Sequence, residues 1–408
     1  MKKCNNPDIR FQAYIDDWKE QRLEKVVEFS KGKGYSKKDL QKSGRPIILY
    51  GRLYTDYEFV IDDVDTFTEE KDGSVISKGN EVIIPASGES AADIARASAV
   101  TRPGVLLGGD LNILKPADCI QSEFLALAVS NGGIKKKLAR RAQGGTIVHL
   151  HNSDMVDLKI LYPSKREQKA IARLFHNIDE LLTVQKNKID KLIQIKKGML
   201  DKLFIHDDHS TVPSMRFGKF SVIWKQVTLG EIVEEYVDPV PTPQGGYERL
   251  GIRSYAKGTF HSFVSEGREL ETAQMHRVAA HKLIVNITFA WEHAVAITDE
   301  KDEGKLVSHR FPQFEFHEGM VPEFFRYIIS DEKFRHHLWL SSPGGAGRNK
   351  VLKIDEMLEY RLRIPCYEEQ KQIADFMDSL ENLIDLYGQK LEQLQHIKSA
   401  LLDKMFVS

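Results

Sequence analysis

The chain has 408 residues, of which 41% are hydrophobic and 29% are charged, so it is long enough for two or three separately folded domains. It carries 58 Lys and Arg against 59 Asp and Glu, a net charge of −1, which excludes a uniformly basic nucleic-acid-binding surface and requires any such surface to be local. The N-terminus has no apolar signal core and no run is long enough to span a membrane, so we expect a cytoplasmic protein without a membrane partner.

The first feature along the chain is a segment near the N-terminus that occurs twice. Eight residues between Pro7 and Glu28 recur between Pro213 and Glu234 at a constant offset of 206 residues. In the first copy they are Pro7, Arg10, Phe11, Trp18, Lys19, Leu23, Val27 and Glu28. A duplication over this distance predicts that the chain consists of two related halves.

The interiors of the two halves have diverged, and both carry an α/β pattern. Short β-branched and aromatic runs predict strands, and longer apolar-periodic segments predict helices. The predicted strands are Pro46–Tyr50, Glu81–Ile84 and His281–Val285, and the predicted helices are Glu123–Val129, Ile134–Arg141, Glu323–Ile329 and Glu332–Leu340. We therefore predict two α/β (α+β) globular domains, without specifying the order of their strands.

Each interior ends in a candidate basic patch beside a glycine-rich turn. Lys and Arg at such turns can approach phosphates, and Arg or Asn can read base edges. The candidate DNA contacts are Lys135, Lys136, Lys137, Arg140 and Arg141 in the first half, and Arg335, Arg348, Asn349 and Lys350 in the second. The alternative for either patch is a solvated surface; its occurrence in both halves favours DNA. We interpret the aromatic residues of the other loops as packing residues: Tyr50, Tyr54, Tyr57, Tyr255 and Trp291.

A long helical segment follows each interior, and its two copies match without a gap. Pro163–Phe204 aligns with Pro365–Phe406 at an offset of 202 residues. Both copies have apolar residues at alternating three- and four-residue spacing, which predicts a coiled-coil seam. The seam residues are Ile171, Leu174, Ile178, Leu181, Ile189, Leu192, Ile195 and Met199, then Ile373, Phe376, Leu380, Leu383, Leu391, Leu394, Ile397 and Leu401. Ser164 and Glu167 also predict a capping box at the start of the first helix.

The charges of the two helices are opposite. The first copy has ten Lys and Arg against five Asp and Glu, a net charge of +5, and the second has four against eight, a net charge of −4. Opposite flanks favour pairing of the two helices with each other, although charge does not set their direction. Gly198 and Gly388 interrupt these helices, and we predict that they permit close packing against the sister helix or a partner.

A search for catalytic groups finds no convincing active site. The run Gly344–Lys350 lacks the spacing of a phosphate-binding loop, and Asn6–Ile9 matches only the start of a methyltransferase tetrapeptide. Cys4, Cys119 and Cys366 are too far apart in sequence for a metal motif or a disulfide framework. We therefore expect a non-catalytic chain without a bound metal or cofactor.

Taken together, these motifs resemble the specificity subunit of type I restriction-modification systems. The most specific signatures are Pro163 with Glu167-Gln168-Lys169 and Pro365 with Glu369-Gln370-Lys371, preceded by glycine-rich approaches at residues 143–146 and 345–348. The resemblance covers essentially the whole chain, and Cys366 at the second helix cap is a small departure. It divides the chain into a target recognition domain at residues 1–162, a spacer helix at 163–206, a second recognition domain at 207–364 and a second spacer helix at 365–408.

The resemblance implies a role for each part. Each recognition domain would read one half of a bipartite site in double-stranded DNA. The helices would form an antiparallel coiled coil that fixes the gap between the half-sites. They would also dock methyltransferase (modification) subunits, which recruit restriction/translocase subunits. S-adenosylmethionine, ATP and Mg would then belong to these partners. Besides the seam, the docking assignment takes in Glu167, Gln168, Glu369 and Gln370.

Three alternatives stay open at this stage. The chain could be a stand-alone bipartite DNA-binding or regulatory protein, a structural coiled-coil adaptor, or a nuclease with an unrecognised site.

Overall fold

The computed structural model describes residues 6–144, 147–207, 209–268, 274–344 and 350–407. It divides into two units, residues 1–187 with 388–408, and residues 188–387. This division cuts both long helices, so that each unit contains part of each. Among the described residues, no helix combines the length and apolar character needed to cross a membrane.

The first unit mixes short strands with helices. Its strands are β1 (Lys19–Arg22), β2 (Val27–Lys31), β3 (Arg45–Ile48), β4 (Val60–Ile61), β5 (Phe67–Thr68), β6 (Glu81–Pro85), β7 (Ser87–Gly88), β8 (Ser98–Val100), β9 (Leu106–Leu107), β10 (Leu111–Pro116), β11 (Val148–His149) and β12 (Lys159–Tyr162). Its helices are α1 (Arg52–Thr55), α2 (Ala91–Ile94), α3 (Ser122–Ser130), α4 (Gly132–Arg141) and the first part of α5 (Lys165–Leu203).

A five-stranded sheet lies at the centre of this unit. Its strand order is β2-β10-β6-β8-β4, with all neighbours antiparallel except the parallel pair β8 and β4. Every residue of β6 is buried, because the sheet is covered on both faces and the strand has no solvent side. A smaller sheet has the order β5-β3-β9, and two-stranded ladders join β1 to β12 and β7 to β11.

The second unit has the same mixed character. Its strands are β13 (Lys225–Thr228), β14 (Val233–Tyr236), β15 (Pro239–Pro241), β16 (Tyr247–Ile252), β17 (Thr259–Val264), β18 (Gln274–Arg277), β19 (Leu283–Val285), β20 (Val295–Ile297), β21 (Leu306–Val307), β22 (Gln313–Phe316) and β23 (Arg361–Ile364). Its helices are α6 (Pro322–Ile329), α7 (Glu332–Leu340), α8 (Ile354–Leu358), the end of α5 and the first part of α9 (Tyr367–Met405).

Two sheets organise the second unit, in the orders β14-β22-β19-β20 and β15-β18-β21-β16-β17. The repeated ends of the two halves pair in the same way. Lys19 of β1 lies opposite Tyr162 of β12, and Lys225 of β13 lies opposite Ile364 of β23. The duplicated segments read from the sequence therefore form the same ladder in each unit.

Within each unit, the parts of α5 and α9 run antiparallel. In the first unit Asp179 pairs with Lys398, while the rings of Phe175 and Phe406 lie 6.2 Å apart. In the second unit Lys196 Nζ lies 2.5 Å from Glu381 Oε1, and Lys188 Nζ lies 5.4 Å from the ring of Tyr387. As the residue number rises along α5, its partner's number falls along α9.

The two interhelical ion pairs use equivalent positions of the repeat. At the offset of 202 residues, Asp179 aligns with Glu381 and Lys196 aligns with Lys398. Both helices thus carry the acid and the lysine at the same places. These two ion pairs could therefore form equally well between α5 and α9 or between two copies of the same helix. The net charges of the helices had led us to expect a preference for α5 with α9.

The Glu-Gln motif of each helix lies inside its unit. Arg10 Nε and Nη2 lie 2.6 and 2.7 Å from the two carboxylate oxygens of Glu167, and Arg216 makes the same fork to Glu369 at 2.8 and 2.6 Å. Both carboxylates are 1% exposed. Each raises the pKa of its arginine through this hydrogen bond.

The neighbouring glutamines are buried in the same way. The Gln168 side chain accepts from Gln121 N at 2.8 Å and donates to Pro163 O at 2.9 Å. Gln370 accepts from Val321 N and donates to Pro365 O, both at 3.0 Å. Burial of these four side chains within their own units argues against their predicted role in subunit docking. The predicted capping box is also incomplete, since the Glu167 carboxylate binds Arg10.

The predicted seam divides into three groups. Ile171, Ile178 and Ile373 are buried in the cores of the units, and Leu174, Leu401, Met199, Phe376 and Leu380 pack against those cores. Ile189, Leu192, Leu391 and Leu394 are partly buried. Leu181, Ile195, Leu383 and Ile397 are 37–52% exposed. Periodicity alone could not distinguish these groups, because one apolar stripe includes residues that pack in the domain core, residues that are partly buried and residues that are exposed to solvent.

Gly198 and Gly388 do not serve close packing within either unit. A Cβ atom built on each glycine meets nothing within 4 Å. Packing against the sister helix is therefore not the reason for a glycine at either position, and only a partner could supply the contact.

Glu167→Gln should destabilise the chain by about 3 kcal/mol, because it leaves the Arg10 guanidinium without its charge partner. The matched control is Glu28→Gln, whose carboxylate pairs with Lys115 while 81% exposed and should contribute less than about 1 kcal/mol. Urea unfolding of both variants measures the difference. Equal losses would contradict a special role for the buried pair.

Gly198→Ala should stabilise the chain by about 0.5–1 kcal/mol, because alanine has the higher helix propensity and its methyl group meets open space. The same unfolding experiment measures this gain. A loss of stability would show that the position is more crowded than its surroundings indicate.

Candidate functional site

The basic residues of α4 form one exposed face of that helix. Ile134 and Leu138 are buried and lie one turn apart, so they fix which side of α4 packs on the unit. Lys135, Lys136, Lys137 and Arg140 are exposed. Within the described part of the chain they have no acidic partner at ion-pair distance. We call these four residues the α4 basic face.

Arg141 behaves differently from its neighbours. Its guanidinium makes a two-pronged ion pair with Asp157, with Nη2 to Oδ2 at 2.9 Å, and donates to the Asp154 carbonyl oxygen at 2.8 Å. Hydrogen bonding to Asp157 raises the pKa of Arg141, and the same contact lowers the pKa of Asp157. Arg141 therefore links the end of α4 to the following loop, and this pairing argues against its predicted DNA contact.

The corresponding helix of the second unit does not repeat the α4 basic face. Phe334 and Leu338 are its buried residues, but Arg335 Nε lies 2.6 Å from the Glu332 carboxylate one turn earlier. His337 is hydrogen-bonded to the Glu356 carbonyl oxygen at 2.8 Å. The predicted role of Arg335 is weakened, because an acid on its own helix neutralises it. Arg348 and Asn349 lie outside the described residues.

Lys350 is the predicted contact in the second unit that has an unusual environment. Its Nζ lies 4.8 Å from the ring centre of Trp339 and 5.5 Å from that of Trp291. A cation held against two indole faces gains a favourable electrostatic contact without an acidic partner. Trp339 is 49% exposed and Trp291 is partly buried, so the site combines a positive charge with one ring surface that is open to solvent.

Sequence reasoning missed Trp339 altogether. The signal was present, because Trp339 directly follows the buried Leu338 and so falls off the apolar stripe of α7. A tryptophan outside the stripe predicts an exposed ring with a binding role.

The tyrosines that the sequence analysis interpreted as packing residues differ in their exposure. Tyr54 donates to the Ser87 carbonyl oxygen at 2.9 Å, and burial raises its pKa to about 12. Tyr57 donates to the Ala97 carbonyl oxygen at 3.1 Å. The packing interpretation fits Tyr54, whereas Tyr50 and Tyr57 are 38% and 40% exposed. It does not hold for Tyr255, whose side chain is 64% exposed.

The parts of the long helices in each unit present further candidate contact residues. Seven large aliphatic side chains on α5 and α9 are at least 37% exposed: Leu181, Val184, Ile193, Ile195, Leu383, Leu386 and Ile397. Apolar residues repeated along a helix and left in solvent mark a protein contact surface. Among the described residues, no group of three His, Cys, Asp or Glu side chains could hold a metal ion.

Comparison with known proteins gives consistent matches. The model of a family described as type I restriction modification DNA specificity domain matches residues 15–194 and 283–396, well over half of the chain. The chain is also 21% identical, over 409 aligned residues, to the type I restriction enzyme MjaVIII specificity subunit of Methanocaldococcus jannaschii. That alignment covers 95% of this chain and 92% of the relative.

Two solved structures share the fold. The S subunit of a type I restriction-modification system from M. genitalium has a TM-score of 0.57 at 16% identity, covering 98% of this chain and 99% of that one. A chain solved in work on complex assembly and conformational transition of the type I R-M system has a TM-score of 0.51 at 12% identity, covering 96% and 98%. Both likenesses extend over nearly the full length.

Arg140 and Arg141 are adjacent arginines on one helix, one in the α4 basic face and one paired to Asp157, so they form a matched test. Arg140→Ala should weaken binding of duplex DNA and reduce the salt slope of log K by about one, because one phosphate contact is lost. Arg141→Ala should leave the salt slope unchanged and destabilise the chain by less than about 1 kcal/mol. DNA titrations at several salt concentrations and urea unfolding measure both. Equal salt slopes for the two variants would contradict the α4 basic face.

Proposed function

Because the chain belongs to the type I restriction-modification DNA specificity family, we propose that each of its halves reads one half of a bipartite site in double-stranded DNA. The recognition domains are residues 1–162 and 207–364. The observation that carries the proposal is the α4 basic face, an exposed set of cations without an acidic partner among the described residues. Unneutralised lysines and arginines on one helix face are the groups that bind phosphates and release counterions.

The two halves contact DNA by different chemistry. The α4 basic face supplies charge, so binding through the first half is strongly salt-dependent. The second half offers Lys350 between Trp291 and Trp339, where ring surface accompanies a single charge. Binding through that half depends more on shape and apolar contact, and less on salt.

The long helices act as spacer and docking surface. Paired as an antiparallel coiled coil, they fix the gap between the half-sites, since two sites read from one face of B-DNA lie about 34–36 Å apart or a multiple of that distance. Their exposed apolar side chains receive the methyltransferase subunits, which recruit the restriction/translocase subunits. The chain is non-catalytic and acts in the cytoplasm, and S-adenosylmethionine, ATP and Mg bind to these partners.

The test is to co-express the chain with its methyltransferase subunit and to map methylated adenines in the host DNA. A single bipartite motif with a fixed gap is the expected result. A stable complex without any motif would overturn the specificity role and indicate a regulatory paralogue. Site-specific DNA binding by the chain without a complex would favour the stand-alone reader, and a complex without DNA binding would favour the adaptor.

Lengthening the helices should change the spacer and nothing else. Insertion of four residues after Asn187 in α5 and four after Tyr387 in α9 adds about 6 Å at ~1.5 Å per residue. We expect the mapped motif to keep both half-sites and to gain base pairs in its gap. Insertion into α5 alone breaks the antiparallel register and is the control, for which we expect loss of methylation. A changed half-site with an unchanged gap would contradict the spacer role.

A further inference from the structure

The hairpin of β16 and β17 turns through an unusual backbone conformation. Tyr255 has a φ of 63° and Ala256 a φ of 48°, so two consecutive residues that are not glycine occupy the left-handed region. Side chains with a Cβ atom are strained there, and such strain persists only where the surrounding structure enforces it.

The enforcement comes from the backbone of a neighbouring turn. The Tyr255 N–H donates to the Glu292 carbonyl oxygen at 2.9 Å, and the Ala256 N–H donates to the His293 carbonyl oxygen at 2.8 Å. His293 is itself left-handed at a φ of 63° and is buried, with its Nε2 atom 2.6 Å from the Ile329 carbonyl oxygen. The turn is therefore fixed in place.

This fixed turn presents rings and cations to solvent. The Tyr255 ring lies 5.6 Å from Lys257 Nζ, and the Arg253 guanidinium lies 5.3 Å from the Phe260 ring. Trp291 directly precedes Glu292, which anchors the turn, and carries Lys350 against its ring. We call these six residues the aromatic–cationic surface: Arg253, Tyr255, Lys257, Phe260, Trp291 and Lys350.

Folding alone does not account for a tyrosine at position 255. Its ring is mostly in solvent and contributes little burial, while its backbone would be relaxed by glycine. An exposed ring on a fixed backbone, beside cations, can recognise DNA, because bases can stack on the ring and phosphates can pair with the cations.

We propose that Tyr255 contacts a base of the half-site read by the second recognition domain, with Lys257 and Lys350 on the flanking phosphates. This inference rests on the proposed function, since it assigns the reading residue of that domain. The left-handed backbone sets the direction of the Tyr255 Cα–Cβ bond, and the hydrogen bonds to the Glu292 and His293 carbonyl oxygens hold that backbone in place before DNA binds. A backbone fixed in advance loses little conformational freedom on binding.

The test uses variants that separate stability from binding. Tyr255→Gly should raise the Tm, because glycine relieves the left-handed backbone. It should also weaken binding of the mapped site by about tenfold, the range of one aromatic–base contact. Ala256→Gly relieves the same turn and should raise the Tm with DNA affinity unchanged. Tyr255→Phe keeps the ring and should retain most of the affinity.

The measurements are thermal unfolding of the chain and titration of the methyltransferase complex against a duplex that carries the mapped motif. Unchanged affinity and motif for Tyr255→Gly would overturn the inference while leaving the proposed function intact. Loss of methyltransferase copurification without loss of DNA affinity would also overturn it, and would assign the ring to a protein contact. A wild-type complex that methylates no bipartite motif would overturn the proposed function and this inference together.

Discussion

The fold depends on one buried contact made twice, the bidentate ion pair between an arginine near the start of each domain and the glutamate at the start of each long helix. Arg10 and Glu167, or Arg216 and Glu369, join residues more than 150 positions apart in sequence. Each glutamate side chain is buried, so water cannot replace the arginine as its hydrogen-bond partner. Each ion pair joins the N-terminal segment of one half of the chain to the long helix at the end of that half. The diverged interior lies between these two segments in sequence.

That arrangement explains how one scaffold carries two different surfaces. The helices α4 and α7 occupy corresponding places after α3 and α6, and each buries two apolar residues one turn apart. Their solvent-exposed sides differ. That of α4 carries four cations, and that of α7 carries Arg335, which is paired with Glu332, and the exposed Trp339. Since the anchoring contacts lie elsewhere, these faces can change without disturbing the core.

Much of the architecture could be predicted because it is repeated. The two long helices and the four predicted interior helices follow from periodicity, and the division into two related halves follows from residues that recur. The direction of a side chain could not be predicted. The family resemblance assigned the polar Glu167 and Gln168 to subunit docking, and only the fold shows that they face inward. Tyr255 gave no signal either, because a left-handed turn is expected at glycine or asparagine. Its strain comes from hydrogen bonds to residues almost forty positions away.

The repeated ion pairs of the helices have a consequence for how such a gene changes over time. Asp179 and Glu381 hold equivalent positions, as do Lys196 and Lys398, and each acid contacts the lysine of the other copy. Recombination that copies one helix over the other would therefore preserve both contacts. The duplicated segments could then exchange sequence by gene conversion and stay alike, while the interiors between them have diverged.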